Sequence, residues 1–234
     1  MNFIRRNVAI ITTALTILTA VMMTISIYLI FFYAPVEKVM GLPQKIFYFH
    51  APIAIMCYIG FFITFISSIG YLWTGSLHWD RFAVSGAHTG LLFIALTLIT
   101  GMLWGKPIWG AYWTWDPRLT TSFIMWLIYA GYMVLRSQVD DEYMRAKYSA
   151  VMGVIGFADV PLVHYSVKLW SRGLHPVIER APGDPGMDPA MFSTFKVCVI
   201  TIFILFVVVF IQRVRYEFLK CDIEHLKTVD GKEF

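Results

Sequence analysis

Charged residues are scarce in this sequence. Only 15% of its 234 residues are Asp, Glu, Lys or Arg, whereas 58% are hydrophobic. A soluble domain of this length needs a more polar surface, so the composition excludes an ordinary soluble protein. The formal net charge of +4 is divided among short segments between apolar runs, which argues against a nucleic-acid-binding surface. We therefore predict an all-α integral membrane protein.

Motifs that would support other chemistry are also missing. The three cysteines, Cys57, Cys198 and Cys221, are widely spaced, and no Cys-x-x-Cys or Cys-x-x-Cys-His motif occurs. This excludes a disulfide framework and covalent attachment of a c-type haem. The sequence has no phosphate-binding loop and no room for a soluble nucleotide-binding domain, so any energy source must come from a partner.

Six apolar runs are long enough to cross a bilayer core about 30 Å thick. They predict spans at 8–33, 50–73, 82–103, 119–135, 148–168 and 195–211, in one polytopic domain of residues 1–234. No small-residue cleavage pattern follows the first run. We therefore expect it to be an anchor and not a removable signal peptide.

The distribution of Lys and Arg predicts the orientation. With six spans, the N-terminus, the second and fourth loops and the C-terminal tail share one side. That side carries eleven of the nineteen cations: Arg5, Arg6, Arg81, Arg136, Arg145, Lys147, Arg213, Arg215, Lys220, Lys227 and Lys232. The positive-inside rule then predicts cytoplasmic termini. The first, third and fifth loops are expected on the outer face.

The third loop is the most unusual stretch. Residues 104–118 read W-G-K-P-I-W-G-A-Y-W-T-W-D-P-R and hold four of the eight tryptophans. Because Gly105, Pro107, Gly110 and Pro117 prevent one long helix, we expect a short shaped interfacial segment and not a core helix. An aromatic surface with cationic ends suits a large flat ligand with anionic edges, such as a porphyrin. An ordinary interfacial aromatic belt is the alternative.

The aromatic side chains and glycines of this segment, with the polar groups at its end and a nearby lysine, are the predicted ligand-binding residues. They are Trp104, Gly105, Pro107, Trp109, Gly110, Trp113, Trp115, Asp116, Arg118 and Lys45. Asp116 followed by Pro117 also predicts a helix N-cap. Lys45 and Arg118 lie on the predicted outer face, where they could meet propionates or, equally, lipid headgroups.

Two histidines flank the tryptophan-rich loop on the predicted outer face. His50 stands at the entry of the second span, with Pro52 in the first turn, and His175 lies in the fifth loop. Neutral imidazole is the usual protein ligand of haem iron, so both are candidate axial ligands. Each could instead be an interfacial hydrogen-bonding group. His88 and His164 are read mainly as satisfied polar groups within or between helices.

Asp159 is a carboxylate inside the fifth predicted span, two residues before Pro161. An intramembrane carboxylate is costly and usually functional. A proline-disrupted backbone also needs polar partners. The sequence leaves a structural contact and a role beneath the binding site equally open.

Several of these residues together resemble a known family. The third loop is similar to the tryptophan-rich WWD signature of haem-handling proteins. One difference is that Tyr112-Trp113 stands where that signature has two adjacent tryptophans. The six spans and four motifs over residues 35–210 resemble the cytochrome c maturation protein C (haem exporter protein C) family. Those motifs are Phe49-His50-x-Pro52, Pro161-x-x-His164-Tyr-Ser-Val167, Leu174-His175 and Asp188-Pro-Ala-Met191.

The resemblance implies a bacterial inner-membrane protein that holds haem b non-covalently at its periplasmic face. His50 and His175 match the axial ligands, and the implied activity is delivery of haem to a periplasmic haem chaperone in c-type cytochrome biogenesis. Further implied partners are an ATP-binding-cassette pair and a small single-span subunit, besides membrane lipid. Such a protein is a transport and assembly factor more than a conventional enzyme.

Two other classes are compatible with a polytopic histidine-containing protein. A b-type cytochrome that exchanges electrons with quinone would place its histidine pair on facing helices inside the bundle, where only His88 and His164 could serve. A small-molecule permease would be favoured by inverted repeats and helices broken at mid-membrane, and no convincing repeat is present. Haem delivery is therefore the leading prediction.

Overall fold

The computed structural model describes residues 2–170 and 186–229, which form seven α-helices. The helices are α1 (Asn2–Tyr28), α2 (Phe47–Thr74), α3 (Leu77–Trp109), α4 (Pro117–Gln138), α5 (Glu142–Gly156), α6 (Asp159–Leu169) and α7 (Pro189–Val229). A π-helical turn at Leu29–Tyr33 extends α1, and a short 3₁₀ helix at Leu42–Ile46 precedes α2. The predicted all-α class is confirmed for these residues.

Six candidate membrane spans lie within the described residues, in agreement with the predicted number. Their bounds are Asn7–Tyr33, Leu42–Thr74, Leu77–Trp109, Pro117–Gln138, Glu142–Leu169 and Pro189–Ile223. All six contain their predicted run and extend beyond it, at one end or both. The helices continue past the predicted runs, because a helix satisfies its own backbone hydrogen bonds whether or not lipid surrounds it.

Two proline positions differ from the prediction. Pro52 was expected in the first turn of the second helix, but α2 begins at Phe47, so Pro52 lies inside the helix. Pro107 was expected outside a helix, but α3 continues through it to Trp109. A proline removes only one intrahelical hydrogen bond and is tolerated where the surrounding bundle compensates.

The fifth predicted span is two helices. It breaks between Gly156 and Asp159, upstream of the expected disruption at Pro161. Pro161 instead lies in the first turn of α6, where its missing N–H group needs no partner. Asp159 is 7% exposed, and its Oδ2 has no hydrogen-bond partner among the described residues.

Close backbone contact between α2 and α3 organises the bundle. A Cβ atom at Gly60 would lie 2.8 Å from the Gly90 Cα, and one at Gly86 would lie 2.8 Å from the Gly60 carbonyl oxygen. Small residues allow membrane helices to approach this closely. The contact sets the register of the antiparallel pair, so the N-terminal end of α2 packs on the C-terminal part of α3.

The two ends of the bundle have different chemistry. The tryptophan-rich segment joins α3 to α4 at one end. The opposite end has a polar cavity of about 220 Å³. There the Arg136 guanidinium donates to both carboxylate oxygens of Asp80, at 2.6 and 2.8 Å. Arg81 contacts the Cys221 thiol at 2.8 Å and the Phe218 ring at 4.9 Å.

Candidate functional site

The His50 imidazole lies against α3. His50 is in the first turn of α2, and its Nδ1 is 2.9 Å from the Thr100 Oγ1. The Thr100 hydroxyl donates to the Leu96 carbonyl, one turn earlier in α3, at 2.8 Å. The ring is thus attached to a hydroxyl that is itself anchored to the helix backbone.

Two further residues of α3 define the position of the His50 ring. At Gly101, a Cβ atom would lie 3.2 Å from the His50 Cε1, so the imidazole lies over a helix surface without a side chain. Trp104 meets the imidazole edge-on, with ring centroids 5.6 Å apart. Phe47 supports Trp104 at 6.1 Å and stacks on Phe195 of α7 at 4.9 Å. Three helices therefore hold the histidine and tryptophan together.

The tryptophan-rich segment is less irregular than predicted. Residues 104–109 complete α3, which ends at Gly110 with a positive φ of 78°. The Gly110 N–H donates to the Lys106 carbonyl at 3.0 Å. Within the tryptophan-rich segment, only residues 110–116 are non-helical. The expectation of a non-helical segment beginning at Trp104 was wrong, because Gly105 and Pro107 weaken a helix without ending it.

The end of the segment agrees with the prediction. The Asp116 Oδ1 accepts a hydrogen bond from the Arg118 N–H at 3.0 Å, and Pro117 is the first residue of α4. Asp116 is therefore the predicted N-cap. Its side chain is buried, so the cap also fixes the direction in which the segment enters α4.

Gly105 serves the packing of the protein itself. A Cβ atom there would lie 2.9 Å from the Trp109 Cε3, so the Trp109 ring folds back over the glycine. Lys106 donates to the Gly110 carbonyl at 3.0 Å and lies 5.2 Å from the centroid of the Tyr112 ring. These contacts give this part of the segment a defined shape.

The later tryptophans border an apolar cavity of about 430 Å³ between α3 and α4. The ring centroids of Trp113 and Trp115 are 5.5 Å apart, and Trp113 meets Phe123 at 5.8 Å. The cavity is lined by Ala95, Leu98, Ile99, Met102, Trp113, Trp115, Phe123 and Trp126. Trp115 is 74% exposed, so it forms the rim of the cavity.

His50 and this cavity lie on different faces of α3. The cavity is lined by positions 95, 98, 99 and 102, whereas the His50 ring contacts positions 100, 101 and 104. At 3.6 residues per turn, these two sets of positions point in nearly opposite directions. The predicted site thus divides into an imidazole-bearing side with Trp104 and an apolar side with Trp113 and Trp115.

The predicted cationic residues have protein partners. Lys45 is 8% exposed, and its ammonium donates to the carbonyls of Ile30 and Ala34. It thereby ties the start of α2 to the end of the first span. Arg118 donates to the His164 carbonyl at 3.3 Å, which brings α6 beside the start of α4. A propionate contact at either residue stays a prediction.

The remaining histidines differ in position. His175 lies outside the described residues. His164 is exposed near Arg118, and its ring meets that of Tyr165 at 4.9 Å. His88 lines the polar cavity with Arg136, toward the opposite end. Within the described residues, no group of three or more His, Cys, Asp or Glu side chains converges as in a metal cage.

Sequence reasoning missed several polar residues at the site. Thr100 contacts His50. The Trp104 Nε1, Thr114 Oγ1 and Thr120 Oγ1 are buried and have no hydrogen-bond partner among the described residues. Buried polar side-chain atoms are rarely left unpaired, so these three atoms are available to bind a water molecule or a ligand. The one signal in the sequence that could have identified these residues is the presence of threonines in and beside the tryptophan-rich segment.

The fold and site define a polytopic helical membrane protein that holds an imidazole against a tryptophan-rich surface at one end of its bundle. The chain belongs to the heme exporter protein C family, CcmC, whose sequence model matches residues 2–229. Membership confirms the predicted family and the location in the bacterial inner membrane. It also assigns the chain a role in haem handling for cytochrome c maturation.

Individual relatives match over most of the chain. Heme exporter protein C of Bradyrhizobium diazoefficiens is 32% identical over 203 residues, 85% of this chain and 75% of the relative. Its counterpart in Escherichia coli K12 is 30% identical over 204 residues, 86% of this chain and 81% of the relative. That of Haemophilus influenzae is 29% identical over 208 residues, 88% of this chain and 83% of the relative.

Proposed function

We propose that this protein binds haem b non-covalently at the tryptophan-rich end of the bundle and delivers it to a periplasmic haem chaperone. His50 and His175 would be the axial ligands, and the site would face the periplasm. The lack of a Cys-x-x-Cys-His motif supports non-covalent binding. Haem would supply the iron and the cargo. The chain's own residues would bind, orient and release it.

The observation that carries the proposal is the contact between His50 and Trp104. An imidazole is the usual protein ligand of haem iron, and here its ring is fixed against an aromatic side chain of the segment that resembles the WWD signature. Stacking on aromatic rings gives a flat macrocycle a large contact area at low entropic cost. A lone interfacial histidine without such packing would support the proposal much less.

The polar atoms around the segment support a ligand with polar edges. The Trp104 indole N–H and the Thr114 and Thr120 hydroxyls are buried and have no hydrogen-bond partner in the part of the chain that the structure describes. Each is able to donate a hydrogen bond. Carboxylates accept such bonds, and Arg118 adds a positive charge at the start of α4. Propionates at this end of the bundle would therefore be able to accept hydrogen bonds from groups that the described residues leave unpaired.

The partners follow from what the described chain contains. It has membrane helices but no nucleotide-binding motif, so transport energy would come from an ATP-binding-cassette pair together with a small single-span subunit. Family membership supports haem and an ATP-binding-cassette system as partners in general. A periplasmic haem chaperone would be the acceptor if the site faces the periplasm. No partner is needed to explain how His50 is positioned.

A b-type cytochrome is less well supported. That function needs two histidines on facing helices, and His88 and His164 were the candidates. In the described structure His88 lines the polar cavity, whereas His164 is exposed beside Arg118 near the tryptophan-rich end. Their separation argues against a shared iron inside the bundle.

Trp113→Ala is expected to lower haem affinity roughly 30-fold, about 2 kcal/mol, as truncation of a packed aromatic contact typically does. This prediction requires the haem to extend from the His50 side to the apolar side of the segment, where Trp113 packs on Phe123. Trp115→Ala should have a smaller effect, because Trp115 is largely exposed at the rim. Hemin titration of purified protein in detergent measures both. Trp73→Ala is the matched control, since Trp73 is 87% exposed at the opposite end of α2. Wild-type affinity in both variants would reduce the segment to an interfacial belt.

The orientation can be tested with single cysteines at exposed positions. We expect Tyr112→Cys to react with a membrane-impermeant thiol reagent added to intact spheroplasts, and Asp140→Cys to react only after the membrane is opened. Both positions are exposed, at opposite ends of α4. Cys221 should be replaced by serine, since it is the least buried native cysteine. The reverse labelling pattern would contradict the periplasmic site.

A further inference from the structure

The Thr100 hydroxyl has a single proton, and its two kinds of contact, with a backbone carbonyl and with His50, indicate which of them receives that proton. The hydroxyl donates to the Leu96 carbonyl at 2.8 Å and, over a longer 3.2 Å, to the Thr97 carbonyl, the usual bonds of a threonine to the preceding turn of its own helix. A hydroxyl oxygen has lone pairs left after donating its single proton. At the second contact, 2.9 Å from the His50 Nδ1, Oγ1 is therefore the acceptor. The proton in that bond belongs to the imidazole.

The other ring nitrogen follows from this assignment. A neutral imidazole that carries its proton on Nδ1 has its lone pair on Nε2. Rotating the ring by 180° would place a carbon against Oγ1 and lose the hydrogen bond. The surface at Gly101 and the ring of Trp104 hold the imidazole in place, whereas the hydrogen bond to Thr100 distinguishes its two orientations. Neutral histidine coordinates a metal ion through such a lone pair.

We infer that Thr100 is a positioning residue that selects the Nδ1-protonated tautomer of His50, so that Nε2 carries the lone pair that would ligate iron. This inference rests on the proposed function, in which His50 is an axial ligand. Thr100 does not touch the iron. It acts through the imidazole, by fixing the ring and by raising the electron density on the ligating nitrogen, as hydrogen-bond partners of metal-bound histidines do.

The first test uses the protein without haem. Protein with ¹⁵N-labelled histidine in detergent should give the nitrogen shifts of an Nδ1-protonated neutral imidazole for His50, assigned by its loss in His50→Ala. Thr100→Val should change this pattern, because valine has the shape of threonine without the acceptor. Thr100→Ser should retain it. An Nε2-protonated His50 in the wild-type protein, or the same tautomer in Thr100→Val, would overturn the inference.

The second test uses added hemin. Thr100→Val is expected to weaken hemin binding about 10- to 100-fold, the usual cost of losing a hydrogen-bond partner of a ligating histidine. The reduction potential of bound haem should also rise, since a less basic imidazole stabilises ferric iron less. Thr100→Ser should restore both values. Wild-type affinity and potential in a folded Thr100→Val protein would overturn the inference.

Thr97→Val is the matched control. Thr97 is in the same helix, and its hydroxyl donates to the Phe93 carbonyl at 2.8 Å, so this variant removes the same kind of bond away from His50. The control should match the wild-type protein in both tests. Equal losses in Thr97→Val and Thr100→Val would assign the effect to the helix and overturn the inference. If wild-type protein binds no hemin, the proposed function fails, whereas the tautomer is still decided by the first test.

Discussion

Replacing His50 with alanine is expected to lower the affinity for hemin by about 100-fold or more. Loss of an outer-shell partner already costs 10- to 100-fold, and this substitution would remove an iron ligand itself. The absorption spectrum should change from that of a bis-imidazole complex. Some haem should remain, because contacts with the tryptophan-rich segment do not depend on the imidazole. Optical titration and a transfer assay to the periplasmic acceptor measure affinity and delivery.

Three further histidine variants make the His50 experiment specific. His78→Ala is the control. His78 stacks on Phe218 at 5.6 Å and lies at the start of α3, the opposite end of that helix from the tryptophan-rich segment. His175→Ala should alter the spectrum and delivery, with more haem retained than in His50→Ala. An unchanged spectrum and transfer rate in His50→Ala would mean that His50 is not a ligand. His164, beside Arg118, would then be the next residue to substitute.

Replacing Asp80 with asparagine is expected to destabilise the folded protein by about 3–5 kcal/mol, the typical cost of breaking a buried ion pair. The Arg136 guanidinium would keep its charge and lose its carboxylate, in a place where only 12% of the Arg136 side chain is exposed. The pair joins the start of α3 to the end of α4. Unfolding in mixed micelles with increasing denaturing detergent gives the difference in free energy.

The control for Asp80 is another carboxylate that lines the same cavity. Glu217 pairs with Arg213 within α7, in a pair whose arginine side chain is 27% exposed. Glu217→Gln should cost less, about 1 kcal/mol, because the Glu217 side chain is 12% exposed but the Arg213 left behind is 27% exposed and can be hydrated. The double variant Asp80→Asn, Arg136→Gln should recover part of the lost stability. If Asp80→Asn unfolds at the wild-type midpoint, the ion pair contributes nothing to stability.

Local sequence patterns predicted part of the site. Asp116-Pro117 predicted the N-cap of α4, because a cap depends on residues adjacent in the chain. Gly110 was correctly predicted to interrupt a helix. It ends α3 because it adopts a positive φ, which glycine tolerates. Pro107 and Gly105 were misread, because the propensity of a residue is a weak prior that the packing of Trp109 over α3 outweighs.

The break between α5 and α6 was predicted at the wrong residue. Pro161 suggested the disruption, yet the helix ends at Gly156 and Pro161 falls in the first turn of α6. Gly156 packs tightly, since a Cβ atom there would lie 2.8 Å from the Ile128 Cγ2 of α4. The sequence alone showed that Pro161 would interrupt a continuous helix, but not where the break would fall. The neighbouring helix shows why the preceding glycine cannot carry a side chain.

The sequence by itself determined the number of spans and the family. Each apolar run must become a helix in lipid, because a membrane offers no other partner for the backbone polar groups. The tertiary structure alone decided what His50 contacts. Thr100 lies fifty residues away, and only the close approach of α2 and α3 at Gly60 and Gly90 places them together. A long-range contact of this kind depends on how two helices pack, which no local pattern encodes.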